Sequence, residues 1–106
     1  MKLITLTETH SATRNATTFT ETFNLPHTSN VSYIISVDNI ADLTPTFQVS
    51  PNGTDFFDSN EQLVFNGNNC VFNFVDVVYH SVRIKCVNAN TGAERVLTIH
   101  KSRLTK

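Results

Sequence analysis

The sequence has no tryptophan, one methionine, two cysteines, three glycines and three prolines. Charged residues make up only 16% of it, against about 25% in an average globular domain. Each scarcity excludes something. No apolar run approaches the ~20 residues of a membrane-crossing helix, so no membrane partner is expected. Gly53, Gly67 and Gly92 all fall in turn-like settings, which leaves no glycine-rich loop to cradle a phosphate and no G-x-S-x-G elbow to present a nucleophilic serine. Cys70 and Cys86 cannot build a tetrahedral zinc site by themselves and form no Cys-x-x-Cys redox motif. Both sit in apolar segments and are expected to be buried, reduced thiols, with a bridge open to them if their strands are neighbours. The start of the chain is apolar for only four residues before Thr7, Glu8, Thr9 and His10, too short a stretch for an export signal.

What is present points to strands. The chain of 106 residues is 40% hydrophobic, enough for one modest core and too much for disorder. Eleven Val and eight Phe stand against five Ala, so strand formers outnumber the best helix former. The charge that is missing is replaced by neutral polar residues, 15 Thr and 12 Asn. The net charge of −1 hides an asymmetry: up to His80 eight acidic residues face two basic ones, and from Ser81 onward six basic residues face only Glu94. The two parts can neutralise one another within one fold or between subunits, and no nucleic-acid partner is expected from so small an overall charge.

Period-2 alternation recurs along the chain between turn signals. Ile4 and Leu6 share one face of the first segment. Phe19, Glu21 and Phe23 share a face of residues 17–23. Val31, Tyr33, Ile35 and Val37 alternate with Ser32, Ile34 and Ser36. Residues 38–45 read as a loop ending in Pro45, residues 46–50 as a strand with Phe47 and Val49 inward, and Pro51-Asn52-Gly53 as a hairpin turn leading to a return strand over 54–58. Residues 62–65 and 71–75 flank a second turn at Asn66-Gly67. Residues 81–87 put Val82, Ile84 and Cys86 opposite Arg83 and Lys85, and residues 95–101 close the sheet. The expectation is an all-β antiparallel β-sandwich, Ig-like or jelly-roll-like, of seven to nine strands. Residues 1–18 are expected to form an N-terminal strand or extended arm, and residues 19–106 the sandwich.

No catalytic, cofactor-binding or metal-ligating constellation is visible. His10, His27, His80 and His100 show no metal spacing, and Asp38 with Asp42 or Asp55 with Asp58 lack the ordered loop that calcium requires. An enzyme is not expected, nor is any cofactor. The adjacent pair Phe56-Phe57 puts at least one ring outside the core of a regular strand, and an exposed ring on a small domain marks an interface or a sugar-stacking face.

Three stretches carry a resemblance. Residues 46–58 (Thr-Phe-Gln-Val-Ser-Pro-Asn-Gly-Thr-Asp-Phe-Phe-Asp), residues 74–84 with Tyr79 before an Arg83-bearing strand, and residues 96–103 with their basic close resemble segments of the small β-sandwich virion proteins of tailed bacteriophages. Phe56 or Phe57 stands where those proteins usually carry Trp. The resemblance implies a non-enzymatic virion protein, made in the host cytoplasm, whose partners are other virion proteins. A capsid decoration role on the major capsid protein comes first. A tail, neck or baseplate subunit is the alternative, and a carbohydrate-binding module touching host glycan the alternative of another class. Phe56, Phe57 and Tyr79 are the expected packing residues of the interface. Arg83, Lys85, Lys101 and Arg103 are expected to pair with acidic residues of a neighbour, and a homo-oligomer is an open expectation.

Overall fold

The computed structural model describes residues 2–13, 16–39, 42–89 and 94–105. Among the described residues nine strands follow one another: β1 (Lys2–Ala12), β2 (Ala16–Phe19), β3 (Phe23–Asn24), β4 (Ser29–Val37), β5 (Leu43–Ser50), β6 (Phe57–Gln62), β7 (Asn69–Val77), β8 (Ser81–Asn88) and β9 (Arg95–Thr105). One sheet has the order β1-β9-β4-β7. The other has the order β2-β8-β5-β6, with β3 also on β8. The pairing is nested and antiparallel throughout: β1 with β9, β2 and β3 with β8, β4 with β7, β5 with β6. The chain is thus one long hairpin whose pairs are dealt alternately to two facing sheets, the jelly-roll form of the expected sandwich.

The alternation read from the sequence fills the space between the sheets. Val31, Tyr33, Ile35 and Val37 of β4 and Leu97 and Ile99 of β9 point inward from one sheet. Phe47 and Val49 of β5 and Val82, Ile84 and Cys86 of β8 meet them from the other. Each such side chain contributes about 1.5–3 kcal/mol on burial. Cys70 and Cys86 lie in this core as free thiols. Burial, and for Cys70 the neighbouring Cys86, pushes Cys70 up to about 12, and burial alone pushes Cys86 up to about 11, so both stay protonated.

Several local expectations are corrected. Residues 17–23 do not form one strand with Phe19 and Phe23 on one face. Phe19 opposes Lys85 on the outer face, whereas Phe23 opposes Val82 in the core. Between the two, Thr20 still donates its amide to the Ile84 carbonyl at 3.0 Å, but its hydroxyl accepts from the Ile84 amide, and the register slips before Phe23. Residues 43–45 are strand and not loop. Pro45 is tolerated inside β5 because its carbonyl accepts from the Leu63 amide at 3.2 Å, so its missing N–H also faces away from β8. The return strand begins at Phe57, since residues 51–56 are held by the turn, and residues 63–65 lie outside any strand. The first segment is a strand paired to β9 from Lys2↔Thr105 to Ala12↔Arg95. Most of the expected turn at 88–93 lies outside the described residues.

Two hairpin glycines have left-handed backbone, Gly53 at φ 83° and Gly67 at φ 64°. A Cβ on Gly53 would fall 2.8 Å from His80 Cε1, while one on Gly67 would meet nothing within 4 Å. Gly67→Ala is therefore expected to cost about 1 kcal/mol from backbone strain alone. Gly53→Ala is expected to cost more, about 2 kcal/mol, because the His80 ring must also move. Urea denaturation of the two variants checks this; equal losses would show that the His80 contact carries no weight.

Candidate interaction surface

The turn between β5 and β6 is built by two side chains. Ser50 Oγ accepts from the Gly53 amide at 2.8 Å, and Asn52 Oδ1 accepts from the Thr54 and Asp55 amides at 2.9 Å each. Asn52 Nδ2 in turn donates to Asp55 Oδ2 at 2.8 Å. The far side of this turn meets the β7–β8 connection: His80 packs on Gly53, its Nδ1 lies 2.6 Å from Ser81 Oγ, and Ser81 Oγ donates to Asn24 at 2.8 Å. Two of the three stretches that carry the phage resemblance therefore abut at one end of the sandwich.

From that turn the two phenylalanines diverge. Phe56 lies under the Arg83 guanidinium, 3.8 Å from its ring centroid, and Phe19 flanks the same guanidinium at 4.0 Å. Arg83 Nε donates to Gln48, Gln48 donates to Asp58, and Lys85 donates to both Asp58 oxygens at 2.9 Å, so the outer face of this sheet is tied side chain to side chain. The Lys85 ammonium and the Gln48 amide hold the Asp58 carboxyl below the usual range. Phe57, 58% exposed, points out of the molecule. With Val49, Pro51, Ser59 and Tyr79 it lines a shallow depression. Tyr79 is 44% exposed; the buried tyrosine is Tyr33.

Beside this depression the sandwich is open. A groove between β7 and the β5–β6 hairpin is lined by Phe47, Val49, Phe72, Phe74, Val78 and Tyr79. An aromatic ladder leads into it from the core. Tyr33 meets Phe47 edge-on at 6.4 Å, Phe47 stacks on Phe74 at 3.8 Å, and Phe74 lies parallel to Phe72 at 6.2 Å. Val75 and Val78, 67% and 73% exposed, extend the apolar surface past the groove's rim. Phe72, Phe74, Val75 and Val78 were not singled out by the sequence reading. The signal was there, since β7 alternates apolar residues on both of its faces, but alternation does not say that a strand lies at an edge.

The basic residues expected to reach a neighbour are largely used inside the chain. Lys85 is held by Asp58, and Arg103 Nη1 donates to the Asn24 carbonyl beside the Phe23 ring. Lys101 is the clearest correction. It is 2% exposed, and its ammonium donates to Glu8 Oε2 at 2.6 Å and to the Glu21 carbonyl at 2.9 Å, 4.9 Å from the Phe23 ring centroid. Glu8 Oε1 accepts from the Glu21 amide at 2.7 Å and bonds His10 Nε2. Lys101 follows Leu97 and Ile99 at inward positions of β9, and Glu8 shares its face of β1 with the buried Ala12, so opposite charges meet where the two strands point indoors. Among the described residues no group of three or more His, Cys, Asp or Glu is placed to hold a metal.

Burial pushes the Glu8 carboxyl upward, but hydrogen bonds from Lys101, the Glu21 amide and His10, together with the Lys101 charge, outweigh it and hold the group below its ordinary 4.5. A carboxyl lowered on folding stabilises above its unfolded pKa and loses that contribution as pH falls through the folded value. Stability is therefore expected to drop below about pH 4.5, and Glu8→Gln should flatten that part of the profile of unfolding free energy against pH. Lys101→Met, which strands Glu8 without its cation, is expected to cost about 3 kcal/mol. Combining the two substitutions should recover part of the loss; additive losses in urea denaturation would refute the coupling. Comparison of the sequence with protein-family models and with curated proteins finds no match.

Proposed function

We propose that the chain is a non-enzymatic structural protein of a bacteriophage virion, a capsid decoration protein that works by protein–protein contact. The observation that carries the reading is the continuous apolar surface formed by Phe57, Val75, Val78 and Tyr79 around the aromatic groove. Small monomers rarely leave such a surface uncovered, and a rim of polar residues around buried rings is the anatomy of a docking site. The resemblance to phage virion modules bears on the same place, because two of its three stretches build this end of the molecule. The jelly-roll form adds analogy at the level of fold, as it recurs in viral capsid domains. Repetition on a lattice would multiply the modest contact of each copy into avidity.

A second reading has its own observation. Phe57 and Tyr79 flank Asp58, Ser59 and Asn60 in one shallow depression, and exposed rings beside carboxylate, hydroxyl and amide groups suit a sugar. A carbohydrate-binding module displayed on the particle is the reading this favours.

Quantitative mass spectrometry of purified virions tests the first reading. A copy number matching the capsid lattice supports decoration, one matching tail symmetry moves the protein to the tail, neck or baseplate, and absence from the particle overturns both. The double variant Phe57→Ser with Tyr79→Ala should lose particle attachment while its stability changes by no more than about 1 kcal/mol, since both rings are largely solvated. Calorimetric titration of the wild type with host polysaccharide separates the glycan reading: heat of binding that the double variant lacks would support it.

A further inference from the structure

Among the described residues β7 pairs with β4 and ends its sheet, and past the Asn66↔Asn69 bridge at its start nothing pairs with its other side. Natural edges of this kind are blunted by Lys, by Pro, by shortness, by β-bulges or by a covering loop. β7 has nine residues, no Lys, Arg or Pro, and its single charge is Asp76 near one end. Its register against β4 is regular from Val71 to Phe74, and the shift between Ser29 and Val31 falls opposite residues 75 and 76, where Asp76 has left-handed backbone.

Together with Val75, next to the shift, the regular part reads Val71-Phe72-Asn73-Phe74-Val75, the same in both directions. An antiparallel pair of identical strands with its twofold axis at Asn73 would set Asn73 opposite Asn73, Val71 opposite Val75 and Phe72 opposite Phe74 of the second copy. Face matches face in this register. Val71, Asn73 and Val75 are all on the outer side, and the half-buried Phe72 and Phe74 both face the groove.

Backbone directions fit as well. The Val37 amide donates to the Asn68 carbonyl at 3.0 Å, so Asn68 points its peptide groups at β4. By alternation Cys70, Phe72 and Phe74 do the same, and Val71, Asn73 and Val75 aim theirs at the free edge. A twofold axis at Asn73 thereby runs through a hydrogen-bonding pair, with further hydrogen-bonding pairs between Val71 and Val75 on either side. Charge does not oppose it. The two Asp76 residues would lie about 20 Å apart, six residues at strand spacing, well beyond the ~8 Å screening length at physiological salt.

We infer that β7 pairs with β7 of a second copy of this chain about a twofold axis at Asn73, joining two four-stranded sheets into one and merging the two aromatic grooves. The inference rests on the reading of this open edge as the docking surface and adds the identity of its occupant. Two edges closed in this way satisfy each other, so the assembly stops at a dimer.

Sedimentation velocity and oxidative cross-linking of the full chain test it. The wild type is expected to sediment as a dimer, and Asn73→Pro should weaken the dimer by about tenfold or more. The proline leaves the backbone bonds to β4 in place, because the Asn73 amide faces the free edge, and removes only the bond that the Ser32 hydroxyl donates to the Asn73 side chain. Val75→Lys, an exposed substitution, should do the same if the proline variant folds poorly. Asn73→Cys is expected to cross-link to itself under oxidised glutathione, since Cα atoms of a hydrogen-bonding pair lie about 5.5 Å apart. Asn69→Cys, whose two copies would stand about 27 Å apart on the same strand, should not.

A wild type that stays monomeric at about 100 µM with no cross-link at residue 73 overturns the self-pairing. A cross-link at residue 69 but not 73 overturns the register. If Asn73→Pro nonetheless fails to attach to particles, the edge is a docking surface for another virion protein, and only the second-copy inference falls. Intact particle attachment by that variant together with a monomeric wild type removes both.

Discussion

The position of Lys101 constrains more of this molecule than any other side chain. Its ammonium is buried between the sheets, where an unpaired charge is not tolerated, so the chain must supply oxygen atoms around it. Glu8 comes from the neighbouring strand of the same sheet, and the carbonyl of Glu21 comes from the facing sheet. The Glu21 amide closes the loop by donating back to Glu8. One ion pair thus ties the first and last strands to the segment that opens the second sheet. The Glu21 amide and carbonyl bond to Glu8 and Lys101, while Thr20 holds β8 through its amide on the Ile84 carbonyl at 3.0 Å and its hydroxyl on the Ile84 amide at 2.9 Å.

The same interaction decides where function can reside. The acidic and basic portions of the chain find each other internally, through Glu8 with Lys101 and Asp58 with Lys85. Charges tied in this way are poor material for steering a partner, so the burden of recognition falls on apolar surface. That surface lies at the opposite side of the first sheet from the ion pair, where β7 ends the sheet and the ladder from Tyr33 through Phe47 and Phe74 to Phe72 opens to solvent. The nested pairing of a jelly roll leaves such margins as a matter of topology: each sheet ends in two edges, and strand β7 carries no Lys, Arg or Pro along its own.

The two parts of the functional proposal share this margin and differ in scale. A single groove offers modest contact, which suits a protein that acts in many copies. Pairing through β7 would double the apolar area presented to a lattice, because the twofold axis brings two grooves and both pairs of Phe57 and Tyr79 rings into one assembly. The rigid turn at Asn52 and the packing of His80 on Gly53 hold those rings in place, so little order has to be gained when they are covered.

Much of the core was legible in the sequence, because period-2 alternation in β4, β5, β8 and β9 names the inward residues without reference to any partner strand. Turn residues marked Asn52-Gly53 and Asn66-Gly67 for the same reason: positive φ is a local demand. Strand parity named an exposed ring in the Phe56-Phe57 pair, but Phe56 lies in the turn and neither ring enters the core. Sequence could not say that Lys101 is indoors, since a lysine at an inward position survives only if a distant glutamate reaches it, and Glu8 lies across the whole length of the chain. Nor could it locate the open edge. Whether the apolar residues of β7 face a neighbouring strand or solvent depends on sheet order, a relation among segments far apart in the chain, which only the nested pairing of the two sheets decides.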